Sequence, residues 1–537
     1  MKNVERKEMK HIKITPLFLV AAFIGICANV VSANEPLHVM FAFVDHFEPF
    51  STSIPETRIW VDDYIDMACQ HVDADGRHPV HSYFAFWAGY EVGCGNGFNI
   101  HSILKTLNEA TYQGYGEVEY HLHHGVRDEG TRSEAAATNE FLTWTNKAIN
   151  VFNSHGAMIT AEPVPQIAFG FIHGMWALDN SRTAVWNDPN SARQYCGVNQ
   201  ELRLLRELNC YADFTFKSPM PMTPEKTVDS IFYARDDEFW ASYQNLNNVF
   251  LVEVNQPMQG DLMIIESSNA PNNVGVHRND YNAPATLARM DEWVGHNVHV
   301  VGQNNWVFVK VYTHGCLEDL TYQPAWDAFF GPPMDQFYTD IETKYNDGIN
   351  WKLHYVSARE MYNIVKAAEA GMTGDPGQYR DFVIKPYGNM KILSQNKYRL
   401  ISYSPTAVLL RILGTGTPVD FSIKEFGQFA HIEESSDPNV GWFVSDASAT
   451  KGTLFGELHF VDSTPSPYYK ITPRKLHCDL NDDGLVNFSD YAILSKYWTG
   501  IPCDPNNGWC EGADVRQSGV VDLANLMEFC EKWLEAN

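Results

Sequence analysis

The stretch Val118-Glu119-Tyr120-His121-Leu122-His123-His124-Gly125 places three histidines at the end of one short run. The alternation of residue types from Glu117 to His124 predicts a β-strand, so His121 and His123 are expected on the same face. Imidazoles are costly to bury without partners, and neutral imidazole is the commonest protein ligand of zinc. The stretch therefore predicts a divalent-metal site, with a solvated, histidine-rich loop as the alternative.

Strands and helices alternate on both sides of this stretch. Short apolar runs predict strands at 38–45, 81–87, 117–124, 166–173, 210–216, 306–314 and 352–356. Longer segments predict helices at 56–72, 99–111, 133–153, 194–208, 284–295 and 357–370. Such alternation implies parallel strands joined by crossover helices. We expect a seven-stranded (β/α) barrel over residues 34–372, with a doubly wound open sheet as the main alternative and an insertion within 217–305.

In either architecture, functional side chains collect at the C-terminal ends of the strands. The predicted strand ends carry Asp45, His46, Trp87, His121, His123, His124, His173, Asp213 and His314. A single histidine at one strand end is more often structural. The whole set favours a functional site.

The N-terminus has the pattern of a secretory signal peptide. A basic segment precedes an apolar run from Ile14 to Val31, and Val31-Ser32-Ala33 stands before Asn34. An uncleaved membrane anchor is the alternative for residues 1–33. No other stretch approaches the apolar length needed to span a bilayer. We therefore expect a secreted or cell-surface protein, extracellular or periplasmic.

The charge of the chain limits its partners. The formal net charge is −27, and residues 1–33 contribute five basic against two acidic side chains, so the remainder carries −30. A strongly acidic surface repels phosphate backbones, which argues against nucleic acid as a partner. A neutral or cationic ligand is compatible with it. Ten cysteines include Cys27, so nine remain after signal cleavage, in a compartment where disulfides can form.

A second region follows the strand–helix alternation. Residues 373–385 are predicted to be a linker because of Gly374, Pro376 and Gly377. Residues 386–472 contain β-branched and apolar runs between turn residues, which predicts a small all-β sandwich. This module either binds glycan or has only a structural role. A second linker is predicted at 463–475.

Residues 476–537 contain two copies of a calcium-binding pattern. Position 6 of each loop is a glycine, Gly484 or Gly519, where the loop turns sharply. The candidate calcium ligands are Asp479, Asn481, Asp483, Leu485, Asn487 and Asp490 in the first loop, and Asp514, Ser518, Val520 and Asp522 in the second. Arg516 stands where an oxygen ligand is expected, so we expect firmer binding in the first loop. An Asx-rich turn without metal is the alternative.

Two loop–helix units that start 35 residues apart, at 479 and 514, resemble a type I dockerin module. In that family each loop binds one calcium ion and the paired helices dock onto a cohesin domain. The resemblance therefore implies a cohesin-type or surface scaffold as partner. Four cysteines are candidates for disulfides that would stabilise this small module: Cys478, Cys503, Cys510 and Cys530.

Val44-Asp45-His46-Phe47-Glu48-Pro49 on the first strand, together with His121-Leu122-His123-His124, is similar to polysaccharide deacetylases. These form the NodB-homology group within the glycoside hydrolase/deacetylase barrel superfamily. In that family a first-strand aspartate is the general base, a second aspartate and two histidines bind a divalent metal, usually zinc, and a late-strand histidine is the general acid. The resemblance implies Asp45 as the first-strand base, a metal site that includes His121 and His123 or His124, and His314 as the late-strand acid.

Two departures from the family leave the base open. His46 follows Asp45 where a second aspartate is expected, and the histidines are two apart and then adjacent instead of four apart. Asp45 is then either the base, or a metal ligand with His173 or Glu48 as the base. Trp87 and Trp176 are candidate surfaces for sugar rings. Residues 173–180 are an active-site loop or an ordinary surface loop.

Three classes of function follow. The first is a metal-dependent hydrolase that removes N- or O-acetyl groups from extracellular polysaccharide. The second is a glycoside hydrolase that uses two carboxylates among Asp45, Glu48, Asp179 and Asp213. The third is a non-catalytic glycan-binding or surface-assembly protein. A tightly bound metal favours the first class, and a carboxylate pair without metal favours the second.

Overall fold

The computed structural model describes most of the chain. The described residues are 35–49, 54–87, 99–123, 133–158, 167–181, 197–216, 227, 229–266, 278–316, 321–385, 392–394, 396, 398–404, 407–413, 418–423, 430–439, 441–445, 448–451, 458–473, 478–481, 486–498, 500, 502–504 and 507–534. The predicted signal peptide, His124, Asp483 and Leu485 lie outside them. None of the described helices is long and apolar enough to cross a bilayer.

The main domain alternates strands and helices. Its elements are β1 Leu37–Phe47, α1 Ile54–Ala68, β2 His81–Trp87, α2 Ile100–Tyr112, β3 Gly116–Leu122, α3 Glu134–Ser154, β4 Phe169–His173, α4 Glu201–Glu207, β5 Cys210–Asp213, β6 Ile231–Ala234, β7 Val249–Leu251, β8 Leu262–Ile265, β9 Arg278–Asn279, α5 Leu287–Gly295, β10 Trp306–Thr313, α6 Gln323–Phe329, α7 Pro332–Tyr345, β11 Trp351–Tyr355 and α8 Ala358–Glu369. Each of the seven predicted strands and six predicted helices has a counterpart here. Strands β6–β9 and helices α6 and α7 were not predicted.

These strands form one sheet of 11 strands in the order β7-β6-β8-β5-β4-β3-β2-β1-β10-β9, and β11 pairs with β1. The pairs from β8 through β1 to β9 and β11 are parallel, as the alternation predicted, and only the pairs made by β6 are antiparallel. Among the described residues no ladder pairs β7 with β9, although an isolated parallel bridge joins Glu253, just after β7, to Val301, which precedes β10. The fold is therefore a mixed α/β fold with a large, mostly parallel sheet, and the closed seven-stranded barrel that we expected is not shown.

Strand β1 separates two hydrophobic cores. Phe43 packs in a core with Trp60 of α1, whereas Val44 packs in a second core with Phe308 of β10. The two cores lie on opposite faces because side chains alternate along a strand. By the same alternation, Asp45 lies on the face of Phe43 and His46 lies on the face of Val44.

The interval 217–305 holds the expected insertion. Strand β8 joins the sheet beside β5 in parallel, and β6 and β7 extend it as an antiparallel edge. Strand β8 can pair with β5 in parallel because the connection between them is long enough to return the chain to the end of the sheet at which β5 begins.

Residues 373–385, predicted as a linker, pack against the main domain instead. The buried Arg380 guanidinium lies 2.8 Å from the carboxylates of Asp73 and Asp75 and 3.0 Å from that of Glu360. A buried cation with three carboxylate partners holds the segment in place. The sequence pattern alone, rich in glycine and proline, does not show such contacts.

The all-β region contains two antiparallel sheets. Its strands are β12 Ile392–Ser394, β13 Tyr398–Ser404, β14 Ala407–Ile412, β15 Val419–Ile423, β16 Ala430–Ser435, β17 Phe443–Val444, β18 Ser448–Lys451, β19 Leu458–Asp462 and β20 Tyr468–Pro473. The sheets have the orders β12-β15-β19-β18 and β13-β14-β20-β16-β17. Side chains from both sheets, such as Phe421 and Tyr469, share one core. Strand β20 occupies residues 468–473 of the predicted second linker.

The C-terminal region contains α9 Phe488–Lys496, the short α10 Gly508–Glu511 and α11 Leu523–Glu531. A disulfide joins Cys503 to Cys510. Helices α9 and α11 begin as predicted after the two loops, each with a capping box, Asn487 with Asp490 and Asp522 with Asn525. These four residues hold positions 9 and 12 of the two loops, so the repeat seen in the sequence is also a repeat of local structure. Calcium binding by the loops remains a prediction.

Candidate metal centre

The carboxylate of Glu48, which follows β1, meets two histidines of β3. Glu48 Oε1 lies 2.7 Å from Nε2 of His121 and 3.0 Å from Nε2 of His123, and the two nitrogens are 3.2 Å apart. Bonds of about 2.0–2.2 Å to one ion place neighbouring ligand atoms roughly 2.9–3.5 Å apart. The three atoms are therefore spaced nearly as the ligands of one metal ion.

The tautomer of His121 is fixed by the neighbouring strand. Its Nδ1 lies 3.0 Å from the carbonyl oxygen of Ile172 on β4, and a carbonyl oxygen can only accept a hydrogen bond. Nδ1 therefore carries a proton. In the neutral ring Nε2 then has a lone pair, which faces the carboxylate of Glu48. Such a backbone partner behind a histidine is typical of metal ligands.

Two further histidines face the same centre. The ring of His46 lies 4.9 Å from that of His121 and 4.7 Å from that of His314, measured between centroids. His46, Glu48 and His314 also form a group whose ligand atoms are close enough for one ion. The centre thus combines one carboxylate with four imidazoles from β1, β3 and the end of β10.

Burial and mutual proximity tune these groups. Burial lowers the pKa of His46, and the neighbouring His314 and His121 lower it further. Burial also lowers the pKa of His123. For Glu48, burial acts to raise the pKa, but the close contacts with His121 and His123 outweigh it and hold the pKa of the carboxyl well below its usual range. An ionised carboxylate beside neutral imidazoles is the protonation state that binds a cation.

Two glycines allow the close packing around the centre. A Cβ on Gly174 would overlap the ring of His123, and a Cβ on Gly315 would overlap the carboxylate of Asp45 and the ring of Trp60. Gly315 also accepts a hydrogen bond from the Glu48 N–H at 3.3 Å. The backbone next to His314 is thereby tied to the backbone of Glu48.

Neither a family model nor a curated protein matches this chain. The function is therefore argued from the geometry of the centre.

Asp45 lies behind the centre and not within it. It is fully buried, its Oδ2 accepts from His81 Nε2 at 2.8 Å, and its Oδ1 accepts from the Gly315 N–H at 2.5 Å. The groups that could hold a metal among the described residues do not include it. This placement does not support Asp45 as a metal ligand, and Glu48 occupies that role in the geometry.

The other candidate acids and bases are packed elsewhere. His173 Nε2 lies 3.6 Å from Glu201 of α4, and its Nδ1 donates to the carbonyl of Gly174. Asp179 and Asp213 are fully buried and accept hydrogen bonds from Ser242 N–H and from Thr215. With Asp45 on the back of β1, these positions do not favour a glycosidase pair that flanks a sugar bond.

The two tryptophans differ in exposure. Trp87 is only 2% exposed and packs against Phe152 of α3, so it cannot offer a face to a sugar ring. Trp176 is partly exposed and lies in a short 3-10 turn, Gly174–Trp176, directly after β4. This turn borders the centre because Gly174 contacts His123.

His46 and Glu48 were not predicted as metal ligands from the sequence. Both lie at the C-terminal end of β1 and both contact the histidines of the centre, whereas Asp45 contacts the opposite side. The period of two along a strand puts positions 46 and 48 on one face and position 45 on the other. That alternation was present in the sequence and would have identified them.

Further groups at the opposite end of the sheet could also hold a metal ion: His38 with His354 and Asp375, and His354 with Asp73 and Asp75. Here His38 lies 2.8 Å from His354, which in turn lies 3.0 Å from Asp75. Lys352 and Arg380 already pair with the carboxylates of this region. A network of this kind is satisfied without an ion, so we interpret it as structural.

In the predicted calcium loops, two carboxylates accept hydrogen bonds from backbone N–H groups. Asp490 accepts from Leu480 at 2.7 Å, Asn481 at 3.1 Å and Asn487 at 2.8 Å. Asp514 accepts from Gly519 at 2.7 Å and from Ser518 at 3.1 Å. In each loop, the backbone N–H groups therefore point toward one carboxylate. Four residues of the first loop pattern, 482–485, lie outside the described part of the chain.

Proposed function

We propose that the protein is a secreted, metal-dependent hydrolase that removes acetyl groups from an extracellular polysaccharide. The observation that carries this proposal is the convergence of Glu48 Oε1 with the Nε2 atoms of His121 and His123 within 3.2 Å, where the carbonyl of Ile172 fixes the tautomer of His121. Two imidazoles and one carboxylate suit zinc, and they leave further positions of the ion open for water and substrate.

Each side chain would have a defined task. When bound, the ion would activate a water molecule and polarise the acyl carbonyl. Glu48, His121 and His123 would hold it. His314 lies across the centre, and burial lowers its pKa. A neutral His314 would first accept a proton from the attacking water and then pass it to the leaving amine or alcohol.

A partly exposed tryptophan and the acidic charge of the chain support a sugar substrate. Trp176 lies two residues after Gly174, which packs against His123, and its side chain is partly exposed, so we propose it as a surface for the substrate. Aromatic rings offer apolar faces on which sugar rings stack. The acidic surface of the chain suits a neutral or cationic glycan better than an anionic one.

The C-terminal region would attach the enzyme to a scaffold. Phe488 and Leu523 occupy the same position in the two repeats, directly after the N-cap of each helix, and are 75% and 62% exposed. Large exposed apolar side chains on paired helices mark an interaction surface. We propose calcium in the loops and a cohesin-type partner on these helices. The Cys503–Cys510 disulfide and the N-terminal signal pattern support export.

Metal content and acetate release test the proposed function. The full chain would be purified, and its zinc and other transition metals would be measured by mass spectrometry, which counts calcium separately. We expect bound transition metal in wild type and its loss in His121→Ala and His123→Ala, and the loaded wild type should release acetate from acetylated glycans. A wild-type chain that takes up no metal even after zinc is supplied would contradict the proposal.

A further inference from the structure

The five side chains of the centre fall into two groups of three that share Glu48. Glu48 with His121 and His123 forms the first group, and Glu48 with His46 and His314 forms the second; within each, the ligand atoms lie within 4.8 Å of one another. Two ligand atoms of one ion are at most about 4.4 Å apart, because each bond is about 2.0–2.2 Å long. The five do not form a single such group, so one ion would not reach all of them without rearrangement.

The second group contains a buried polar atom that needs a partner. His46 is 3% exposed, and its Nε2 has no hydrogen-bond partner among the described residues. A buried polar atom left in this state destabilises the folded chain. The structural role of a core histidine would normally include a hydrogen bond, as His81 makes to Asp45. A cation beside the His46 ring would remove the penalty.

Glu48 can serve both groups. Its contacts with His121 and His123 both use Oε1, and no hydrogen bond from the described residues reaches Oε2. A carboxylate with one oxygen toward each ion is a suitable bridge in two-metal sites, where the ions lie about 3.5–4 Å apart. Asp45 and Asp280 add negative charge near His314 and so partly balance a second cation.

We propose that the centre binds two divalent ions of the zinc type, with Glu48 as the shared ligand and with His46 and His314 holding the second ion. This inference rests on the proposed function, because the first position must bind metal for a second to be bridged to it. It assigns His314 as a metal ligand instead of a proton carrier. Proton transfer would then be left to water between the two positions.

The stoichiometry at saturation tests the proposal. The full chain would be stripped with a chelator, dialysed against buffered zinc, and analysed for zinc per chain. We expect two zinc ions in wild type, one in His46→Ala and His314→Ala, and none retained tightly in Glu48→Ala. Circular dichroism would establish that each variant is folded, and His46→Gln would replace His46→Ala if the smaller side chain prevents folding.

A surface histidine pair supplies the matched control. His101, exposed on α2, and His155, half-buried directly after α3, approach to 2.9 Å and could take up adventitious zinc. His101→Ala should leave both equivalents in place. Loading with Mn²⁺ gives a second readout, because two ions bridged by one carboxylate produce an exchange-coupled paramagnetic resonance spectrum that His46→Ala should convert to that of an isolated ion.

The outcomes separate the two proposals. Two equivalents that fall to one in both His46→Ala and His314→Ala, with the coupled spectrum, support the second site. One equivalent in wild type, unchanged in these variants, overturns the two-ion centre and leaves the hydrolase proposal standing. A second equivalent that disappears in His101→Ala is adventitious and also overturns it. No metal in wild type overturns the hydrolase proposal itself.

Discussion

Asp45 and His46 are neighbours in the sequence but face opposite sides of strand β1. Asp45 binds His81 and the backbone of Gly315 behind the sheet, whereas His46 contacts the rings of His121 and His314 in the centre. The two residues thus contribute differently. His46 lies where it could hold the proposed second ion, whereas Asp45 fixes the backbone next to His314.

Replacement of Asp45 should therefore weaken metal binding without removing a ligand. Asp45→Ala deletes the acceptor of the Gly315 N–H, so His314 and Glu48 lose a fixed backbone, and we expect about a 10–100-fold loss of zinc affinity. Asp45→Asn keeps an oxygen for that N–H and should recover most of the affinity. Competition with a chromophoric chelator measures both. An equal loss of zinc affinity in Asp45→Asn and Asp45→Ala would show that the contact with the Gly315 N–H is not the cause.

The ring of His123 depends on Gly174. Gly174→Ala places a Cβ where the ring lies, so the ring must move away from Glu48, and we expect at least a tenfold loss of zinc affinity in the same assay. Gly295→Ala is the matched control, because a Cβ there meets nothing within 4 Å. Wild-type affinity in Gly174→Ala would mean that His123 is not a ligand.

Acid should destabilise the main domain partly through His38. Burial, followed by the charge of His354, lowers the pKa of His38 to about 4. Between the unfolded value near 6.5 and this folded value, the unfolded chain binds a proton that the folded chain does not, so stability falls as pH decreases.

Both proteins would be compared without metal. Between pH 7.5 and 4.5 the free energy of unfolding should fall by about 2–3 kcal/mol less in His38→Gln than in wild type, as measured by chemical unfolding. His101→Gln, at an exposed position of α2, serves as the control. The same pH dependence in wild type and His38→Gln would refute this assignment.

Breaking the buried ion pair of Arg359 and Glu117 should lower the free energy of unfolding more than breaking an exposed pair. Arg359 Nη2 lies 2.7 Å from Glu117, and both side chains are at most 10% exposed. Arg359→Met leaves Glu117 buried without its cation and should cost about 3–5 kcal/mol. Lys344→Met breaks an exposed pair with Asp291 and should cost less than about 1 kcal/mol. Comparable losses of unfolding free energy in both variants would contradict this ranking.

Calcium binding by the first predicted loop should depend on Asp490. Asp490→Ala removes the carboxylate at position 12 together with its three backbone contacts, so we expect the firmer calcium site to be lost in titration calorimetry. Asp514→Ala, in the second loop, should leave that site intact. Calcium binding of wild-type strength in Asp490→Ala would place the firm site elsewhere.

Local patterns in the sequence were sufficient for the elements of the main domain. Alternation and helical segments predicted β1–β5, β10, β11 and their crossover helices, because each depends on the spacing of apolar residues in a short window. Histidines at strand ends indicated the edge of the sheet at which the centre lies, because parallel strands end on one side.

The tertiary structure decided the rest. The contact between Glu48 and His121 joins positions 73 residues apart, and its geometry depends on the register of β1, β2 and β3. Likewise, Arg380 is buried within a segment that has the composition of a linker, and β8 enters the sheet beside β5. The sequence by itself determined which residues alternate and where strands end. Only packing decided which ends meet, because pairing between distant segments depends on the whole core and not on any local period.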